Sequence, residues 1–374
     1  MTPAQIIVLA TPVFLALIAF EFVVGLARGR NTYRLNDALN SIGLGILSQV
    51  VGAFGRLFTI GLYVLAYEHV SLWQLSASSI WVWVFALVGY DFCYYWLHRA
   101  GHRVGVLWAA HVVHHQSEDY NLAVALRQAV LTSWTVLPFY LPLAVLGVPP
   151  LVFGVVALID LLCQFWVHTE QVGKLGVFDR WFCAPSNHRV HHAVNDRYLD
   201  KNYGGILIVW DRLFGTYAEE DDRHRCVYGT RAPLQSWNPL WANLQVYRDL
   251  ALDSWHTQAW PDKLRVWLKP PGWRPADVAQ RFPKPAFDIR KLRRYDPPIT
   301  EQAAWIAGAL FAVSLLLTTL FLWNVHRLPL ALQLAFAALI VALLWAVGFV
   351  TQPRGDEADV MPQTAPSHLD RPVR

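Results

Sequence analysis

The sequence predicts an all-α protein, a polytopic bundle of membrane-spanning helices. The chain is 55% hydrophobic and only 16% charged, with a mean hydropathy of +0.30. That composition is too apolar for a soluble protein of 374 residues. Apolar runs long enough to cross a bilayer recur along the chain, and histidines with helical spacing lie beside them.

Charge and cysteine usage exclude several classes of protein. The net charge of +4 is mild and comes without a basic tract, so nucleic-acid binding is not expected. Four scattered cysteines form no pair at metal or disulfide spacing. The 18 tryptophans suit a protein with a large membrane–water interface.

Seven apolar segments are predicted to enter the membrane. They cover about residues 5–26, 39–67, 79–98, 130–146, 151–167, 303–323 and 328–350. The fourth and fifth are short and are joined by the turn Gly147-Val148-Pro149-Pro150. Whether this hairpin crosses fully or only in part stays open at this stage.

These segments divide the chain into five regions. They are membrane spans (1–78), a histidine-box core with the hairpin (79–217), a Trp-rich cap (218–300), a terminal membrane hairpin (301–351) and a tail expected to be disordered (352–374). Six tryptophans between Trp237 and Trp273 predict that the cap lies against the lipid headgroups. A small domain with ordinary core tryptophans is the alternative.

Basic residues predict the orientation of the chain. Cytoplasmic loops of membrane proteins carry an excess of Lys and Arg. One side would hold the large polar region and a set of arginines, namely Arg28, Arg30, Arg34, Arg99 and Arg103. The opposite loops contain Arg327 as their only basic residue. We therefore expect an N-terminus outside and a histidine site facing the cytoplasm.

Nine histidines form the candidate metal site. They fall into one His-x3-His pair, two His-x2-His-His boxes and one isolated position: His98, His102, His111, His114, His115, His188, His191, His192 and His168. Imidazole is the commonest metal-binding side chain, and a single tetrahedral zinc needs only three or four ligands. Nine histidines suit two metals with open coordination positions, and imidazoles admit iron, zinc, copper or nickel.

Acidic residues near the boxes are candidates for supporting roles. Asp91 and Asp160 lie inside predicted spans, each on one helix face with a histidine, and could accept its second N–H. Glu118, Asp119 and Glu170 follow boxes directly and are the candidate catalytic carboxylates. The alternative for these three is that they are solvated interface charges.

The setting of the site favours oxidation of a lipid. No His-Glu-x-x-His occurs, so the usual zinc-protease arrangement is absent from the sequence. Hydrolysis needs a polar scissile group and water, whereas attack on an alkyl chain needs activated dioxygen, which iron can supply. An apolar site therefore favours a membrane lipid as substrate, although spacing alone does not settle the metal.

The boxes, followed by Trp210-Asp-Arg-Leu-Phe-Gly-Thr216, resemble the fatty acid hydroxylase/sterol desaturase superfamily over residues 80–217. That resemblance implies a membrane non-haem di-iron oxygenase that uses dioxygen. It also implies that the nine histidines bind the two irons.

Three further segments resemble the glyceryl-ether monooxygenases of that superfamily. They are 117–128, 164–170 and 201–205. This narrower likeness implies hydroxylation of an alkylglycerol next to its ether oxygen, with tetrahydropterin as the reductant. The alternative enzyme is a hydroxylase or desaturase of fatty acids, sterols or carotenoids, reduced by a redox protein. A non-enzymatic metal-binding or transport protein is the alternative from a different class, but a transporter would spread its histidines along a path through the spans.

Overall fold

The computed structural model describes residues 2–353, and every regular element in this range is helical. The α-helices, in chain order, are α1 (Pro3–Ala27), α2 (Leu35–Val70), α3 (Ile80–Arg103), α4 (Gly105–Ala109), α5 (Val112–His115), α6 (Leu122–Ala125), α7 (Thr132–Thr135), α8 (Leu137–Val145), α9 (Pro150–Trp166), α10 (Pro185–His192), α11 (Val209–Leu213), α12 (Pro239–His256), α13 (Trp260–Leu268), α14 (Ala276–Arg281), α15 (Glu301–Asn324) and α16 (Leu330–Val350). The all-α prediction is confirmed. All but the first two residues of the expected disordered tail lie outside the described residues.

Five helices are long and apolar enough to cross a membrane. They comprise α1, the first part of α2, α3, α15 and α16. Only 6% of the apolar window of α1 is buried inside the protein, so nearly all of this helix faces outward. A single helix can expose so much apolar surface because lipid, rather than water, surrounds it. The chain is therefore a multi-pass membrane protein, as predicted.

The lengths of the hairpin helices favour the partial crossing that the sequence left open. α8 has nine residues and α9 has 17. At about 1.5 Å per residue, α8 rises about 14 Å, roughly half of a typical hydrocarbon core. We interpret the hairpin as one that enters the bilayer and returns to the same side, which leaves the predicted relative sides of the other segments unchanged.

The terminal hairpin packs against the second helix of the chain. α15 and α16 lie antiparallel, and their buried Phe321 and Ile340 join Leu44, Leu47 and Val50 of α2 in one apolar cluster. Such close-packed apolar contacts hold helices together where lipid offers no hydrophobic driving force.

Two sets of contacts fix the direction of α1 relative to the histidines. At its start, Gln5 donates from Nε2 to the Trp323 carbonyl at 3.3 Å, next to the turn between α15 and α16. After its end, Arg28 donates to the Gln171 carbonyl at 2.9 Å and Arg34 pairs with Asp119 at 2.8 Å. α1 therefore runs from the side opposite the histidine boxes to the side that holds them.

Hydrogen bonds join the cap helices to the ends of the membrane segments. The Gly105 amide, two residues after α3, donates to the Lys269 carbonyl at the end of α13 at 2.9 Å. In α12, Asn243 accepts from the Val130 amide at 3.0 Å, at the foot of the hairpin. These bonds hold α12 and α13 at the level where the apolar segments begin.

Candidate metal centre

The nine predicted histidines converge in two groups. The ligand nitrogens within each group lie within 4.8 Å of one another. The five-histidine group consists of His98, His102, His111, His115 and His191, and the four-histidine group of His114, His168, His188 and His192. The groups adjoin, since the His115 and His192 rings stack at 4.3 Å between centroids. His111 is half-buried, and the other eight are buried.

Each His-x2-His-His box contributes to both groups. In the first box, His111 and His115 point to the five-histidine group, whereas His114 points to the four-histidine group. In the second box, His188 and His192 share one group and His191 joins the other. Consecutive residues of a helix point about 100° apart, so the adjacent histidines cannot face one metal position. Each of the two boxes therefore supplies imidazoles to both groups.

Backbone carbonyls orient two imidazoles of the five-histidine group. His98 donates from Nδ1 to the Tyr203 carbonyl at 2.9 Å, and His191 donates from Nδ1 to the Lys201 carbonyl at 3.0 Å. A carbonyl oxygen can only accept, so Nδ1 must carry the proton in both rings. The Nε2 lone pair of each neutral ring is then free to bind a metal.

Backbone carbonyls also orient two imidazoles of the four-histidine group. His114 donates from Nδ1 to the Arg127 carbonyl at 3.0 Å, and His168 donates from Nδ1 to the Gln164 carbonyl at 2.8 Å. Arg127 is fully buried, and its Nε donates back to the Val113 carbonyl at 2.7 Å. Arg127 therefore contacts α5, which carries His114, through both its backbone carbonyl and its side chain.

The remaining imidazole nitrogens fit a bound cation. The Nε2 atoms of His168 and His188 are 3.0 Å apart, and those of His111 and His115 are 3.1 Å apart. Two ligands with bonds of about 2.0–2.1 Å to one metal lie about 3.0–3.4 Å apart. Among the described residues, the buried Nε2 atoms of His98, His102 and His191 have no hydrogen-bond partner. Unpaired buried nitrogens aimed at a common centre are costly unless a metal binds them.

Burial favours the metal-binding form of these rings. It lowers the pKa of His114 to about 4 and holds the pKa values of His115, His188 and His192 well below their ordinary value. An imidazolium loses its hydration inside the protein, so the neutral ring is preferred. Neutral imidazole is the species that binds metal ions.

The two intramembrane carboxylates do not contact the histidines as expected. The prediction that Asp91 and Asp160 accept the second N–H of His98 and His168 is wrong, since backbone carbonyls take both protons. Asp91 instead accepts from the backbone amides of residues 206 and 207, at 2.7 Å and 3.1 Å. Asp160 accepts from the Gln164 side chain.

The three candidate catalytic carboxylates have partners other than imidazoles. Glu118 accepts from the Tyr295 amide at 2.6 Å, and Asp119 pairs with Arg34 at 2.8 Å and with Arg294. Glu170 is hydrogen-bonded to the Tyr228 side chain. Their catalytic role stays a prediction.

Sequence reasoning missed the residues that wall the site. The Trp108 ring of α4 lies 5.0 Å from that of His102 and 5.6 Å from that of His115. The Tyr120 ring stacks on His168 at 5.7 Å. Trp108 thus packs against the five-histidine group and Tyr120 against the four-histidine group. An aromatic residue among many gives no sequence signal of such a role.

Fold and site together define a helical multi-pass membrane protein with a buried histidine cluster that could bind metal. Residues 83–216 match the fatty acid hydroxylase family. An alkylglycerol monooxygenase from Danio rerio is 35% identical over 365 residues, which cover 94% of this chain and 78% of that protein. The chain therefore belongs to the fatty acid hydroxylase family, and the resemblance seen in its boxes is confirmed.

Two other relatives carry the same name. The human alkylglycerol monooxygenase is 42% identical over 71% of this chain, and that of Xenopus tropicalis is 36% identical over 77%. The matched part spans only 59% of the human protein and 64% of the frog protein, less than two thirds of each. No solved structure matches the chain significantly.

Proposed function

We propose that the chain is a di-iron monooxygenase that cleaves the ether bond of alkylglycerols. The observation that carries this proposal is the presence of two adjoining groups of histidines, nearly all buried, next to the ends of apolar spans. The alkylglycerol substrate class comes from the names of the relatives.

The nine histidines would hold two irons, one in each group. When bound, iron supplies what side chains lack, namely the activation of dioxygen. Five imidazoles in one group leave fewer open coordination positions than four in the other. We therefore place the exchangeable positions chiefly at the four-histidine group, beside Tyr120.

The proposed reaction inserts one oxygen atom at the carbon next to the ether oxygen. A carbon–hydrogen bond of that carbon breaks and a carbon–oxygen bond forms, which gives a hemiacetal. A reductant supplies the electron pair that, with protons, converts the second oxygen atom of dioxygen to water. The hemiacetal then breaks its bond to the former ether oxygen and yields a fatty aldehyde and glycerol. We propose tetrahydropterin as this reductant.

The chain's own part in this reaction is to position the substrate and keep the site dry. α3 carries His98 and His102 near one end and exposes Phe92 and Trp96 on its outer surface. Lipid therefore reaches within about two turns of the imidazoles. A substrate whose alkyl chain lies in the bilayer would reach the site laterally, with its glycerol end toward the polar side.

We also propose that the site faces the cytoplasm and that α1 begins outside. Arg28 and Arg34 lie on the same side as the histidines, because they contact Gln171 and Asp119, which follow His168 and His115 closely in the chain. Arg327 lies on the other side, in the turn between α15 and α16. Basic residues collect in cytoplasmic loops, which supports this orientation.

A direct assay tests the proposed reaction. Purified iron-loaded protein would be incubated with a 1-O-alkylglycerol, dioxygen and tetrahydropterin, and fatty aldehyde would be measured by mass spectrometry. The matched 1-acylglycerol, which has a carbonyl in place of the reacting CH2, should give no aldehyde. A His188→Ala variant should also give none. Aldehyde formed only with a reduced redox protein would overturn the choice of reductant, and no aldehyde with either donor would overturn the substrate.

A further inference from the structure

We propose that Asp211 is a positioning residue for the five-histidine group and not for the four-histidine group. It acts by clamping the segment 200–205, whose backbone carbonyls orient His98 and His191. The inference rests on the proposed two-metal site and assigns a role to the Trp210–Thr216 motif that follows the boxes.

The Asp211 carboxylate is wholly buried and holds the segment through both oxygens. Oδ1 accepts from the Tyr203 amide at 2.8 Å and from the Thr216 hydroxyl at 2.6 Å, and Oδ2 accepts from the Gly204 amide at 2.7 Å. Hydrogen bonds to a charged acceptor are about twice as strong as neutral ones. The two amides belong to the residue whose carbonyl binds His98 and to its neighbour.

The clamped segment has an unusual backbone. Asp200 and Asn202 adopt left-handed conformations, with φ of 59° and 56°. Alternate left-handed residues turn the carbonyls of Lys201 and Tyr203 toward His191 and His98. Left-handed backbone costs energy in residues other than glycine and persists only where surrounding bonds enforce it.

Further bonds hold the middle of the segment and the residues that follow it. Asn202 donates from Nδ2 to the Asn187 carbonyl at 3.0 Å and to the Ala218 carbonyl at 2.7 Å. Beyond the segment, Asp91 of α3 accepts from the next two amides along the chain. At Gly205, a Cβ would lie 3.0 Å from Asp91 Oδ1, so the segment passes too close to α3 for a side chain.

The imidazoles that the carbonyls of this segment orient belong to the five-histidine group, and the bond from Asn202 to the Asn187 carbonyl reaches the backbone of α10 and no imidazole. In addition to His98 and His191, the segment approaches His102, whose Nδ1 lies 3.9 Å from Asp200. In the four-histidine group, the acceptors of His114 and His168 are the carbonyls of Arg127 and Gln164, which belong to other parts of the chain. Loosening the segment should therefore disturb one metal position and spare the other. A purely structural role for Asp211 would weaken both alike.

The test compares Asp211→Asn with wild type. The amide keeps one acceptor oxygen but places an NH2 against one of the two backbone amides, so one clamp bond is lost. We expect iron to fall from about two to about one per chain, because loss of a group that orients a metal ligand lowers affinity by about 10–100-fold. Mössbauer spectra of 57Fe-loaded protein should lose one of two components.

Asp253→Asn is the matched control. Asp253 is also buried but binds Arg274 in the cap, at 2.8 Å. This variant should keep both irons and both spectral components. If wild type binds fewer than two irons, the proposed function fails; if wild type binds two and Asp211→Asn also keeps both with unchanged spectra, the present inference alone fails.

If Asp211→Asn does not fold, a milder variant tests whether Asp211 acts on the five-histidine group alone. Thr216→Val keeps the carboxylate and removes one of its donors. It should weaken one iron and leave the other at wild-type affinity in a titration with chelator. Equal weakening of both irons in either variant would overturn the proposed selectivity.

Discussion

His114 and His168 bring their Nε2 atoms to within 3.2 Å, although 54 positions separate them in the chain. Both rings donate from Nδ1 to backbone carbonyls, so both facing nitrogens carry lone pairs when the rings are neutral. Two such lone pairs repel each other unless a cation lies between them. The contact therefore joins the isolated His168 at the end of α9 to the box histidines as one binding site.

The first prediction follows from this contact. His168→Ala should reduce iron from about two to about one per chain and lower turnover at least about 100-fold, because no nearby donor can replace the lost imidazole. Metal analysis of anaerobically purified, iron-supplemented protein would measure the first effect. His326→Ala, an exposed histidine on the opposite side, is the control and should keep both irons and most of the activity. Full iron content in the His168→Ala protein would show that the boxes alone build the site.

Composition and spacing were sufficient to predict the helical membrane fold and to group eight of the nine histidines, because apolar length and i, i+3 and i, i+4 spacing are local properties of the chain. The isolated His168 was selected because it shares a helix face with Asp160 and because of the resemblance. The division of the boxes between two groups was not predicted. His114 and His115 are neighbours in sequence, and which metal position each faces depends on how α5 sits between α3 and α10. Only tertiary packing sets that angle.

The partners of the imidazoles could not be predicted for a different reason. Asp91 and Asp160 were expected to bind histidines because carboxylates are visible in a sequence, whereas backbone carbonyls are present at every residue. The carbonyls of Lys201 and Tyr203 point toward imidazoles only because the neighbouring residues Asp200 and Asn202 adopt left-handed conformations. The sequence left the extent of the hairpin open because its apolar run continues through Val136, where the structure breaks the helix between α7 and α8.

A second prediction concerns the pH dependence of stability. Burial raises the pKa of Glu118 from 4.5 to about 6. Between these values the folded protein holds a proton that the unfolded chain has released, so this group's contribution to stability falls as pH rises through the window. Glu118→Gln cannot ionise and loses the effect. Its midpoint of thermal unfolding minus that of wild type should increase from pH 4.5 to 6 and stay level above.

Unfolding scans across this range, with Glu219→Gln as an exposed control, would check the sign. The subtraction cancels the titration of the histidines, which both proteins share. A difference that stays constant with pH, or decreases as pH rises, would show that Glu118 does not hold its proton in the folded protein.

The third prediction tests the expectation that the cap lies against lipid headgroups. Trp260, Leu264 and Leu268 form a stripe at i, i+4, i+8 along α13 and are 79%, 72% and 65% exposed. Val266, on the opposite face, is buried. Because α13 is bonded to the foot of α3, we predict that this stripe inserts among lipid headgroups. A nitroxide label at Leu264→Cys in proteoliposomes should be more accessible to oxygen than to a water-soluble nickel complex.

A label at Arg265→Cys, one residue along the same helix, is the matched control and should show the opposite preference. Cys163 and Cys226 would first be replaced by serine, since they are only partly buried. A Leu264→Cys label that favours the nickel complex would place the stripe in water and remove the interfacial role of the cap.

The last prediction concerns which side of the membrane holds the site. Arg327 lies exposed in the turn between α15 and α16, four residues after Trp323, whose carbonyl contacts the start of α1. Arg223 lies exposed on the side of the histidines. If the basic loops are cytoplasmic, a cysteine at Arg327 should react with an impermeant maleimide in intact cells, and one at Arg223 only after permeabilisation. An arrangement with five crossings would place these two positions on opposite sides, so we expect their labelling to differ whichever way the protein inserts. The reverse pattern would place the histidines outside the cell, and equal labelling of both in intact cells would contradict the number of crossings itself.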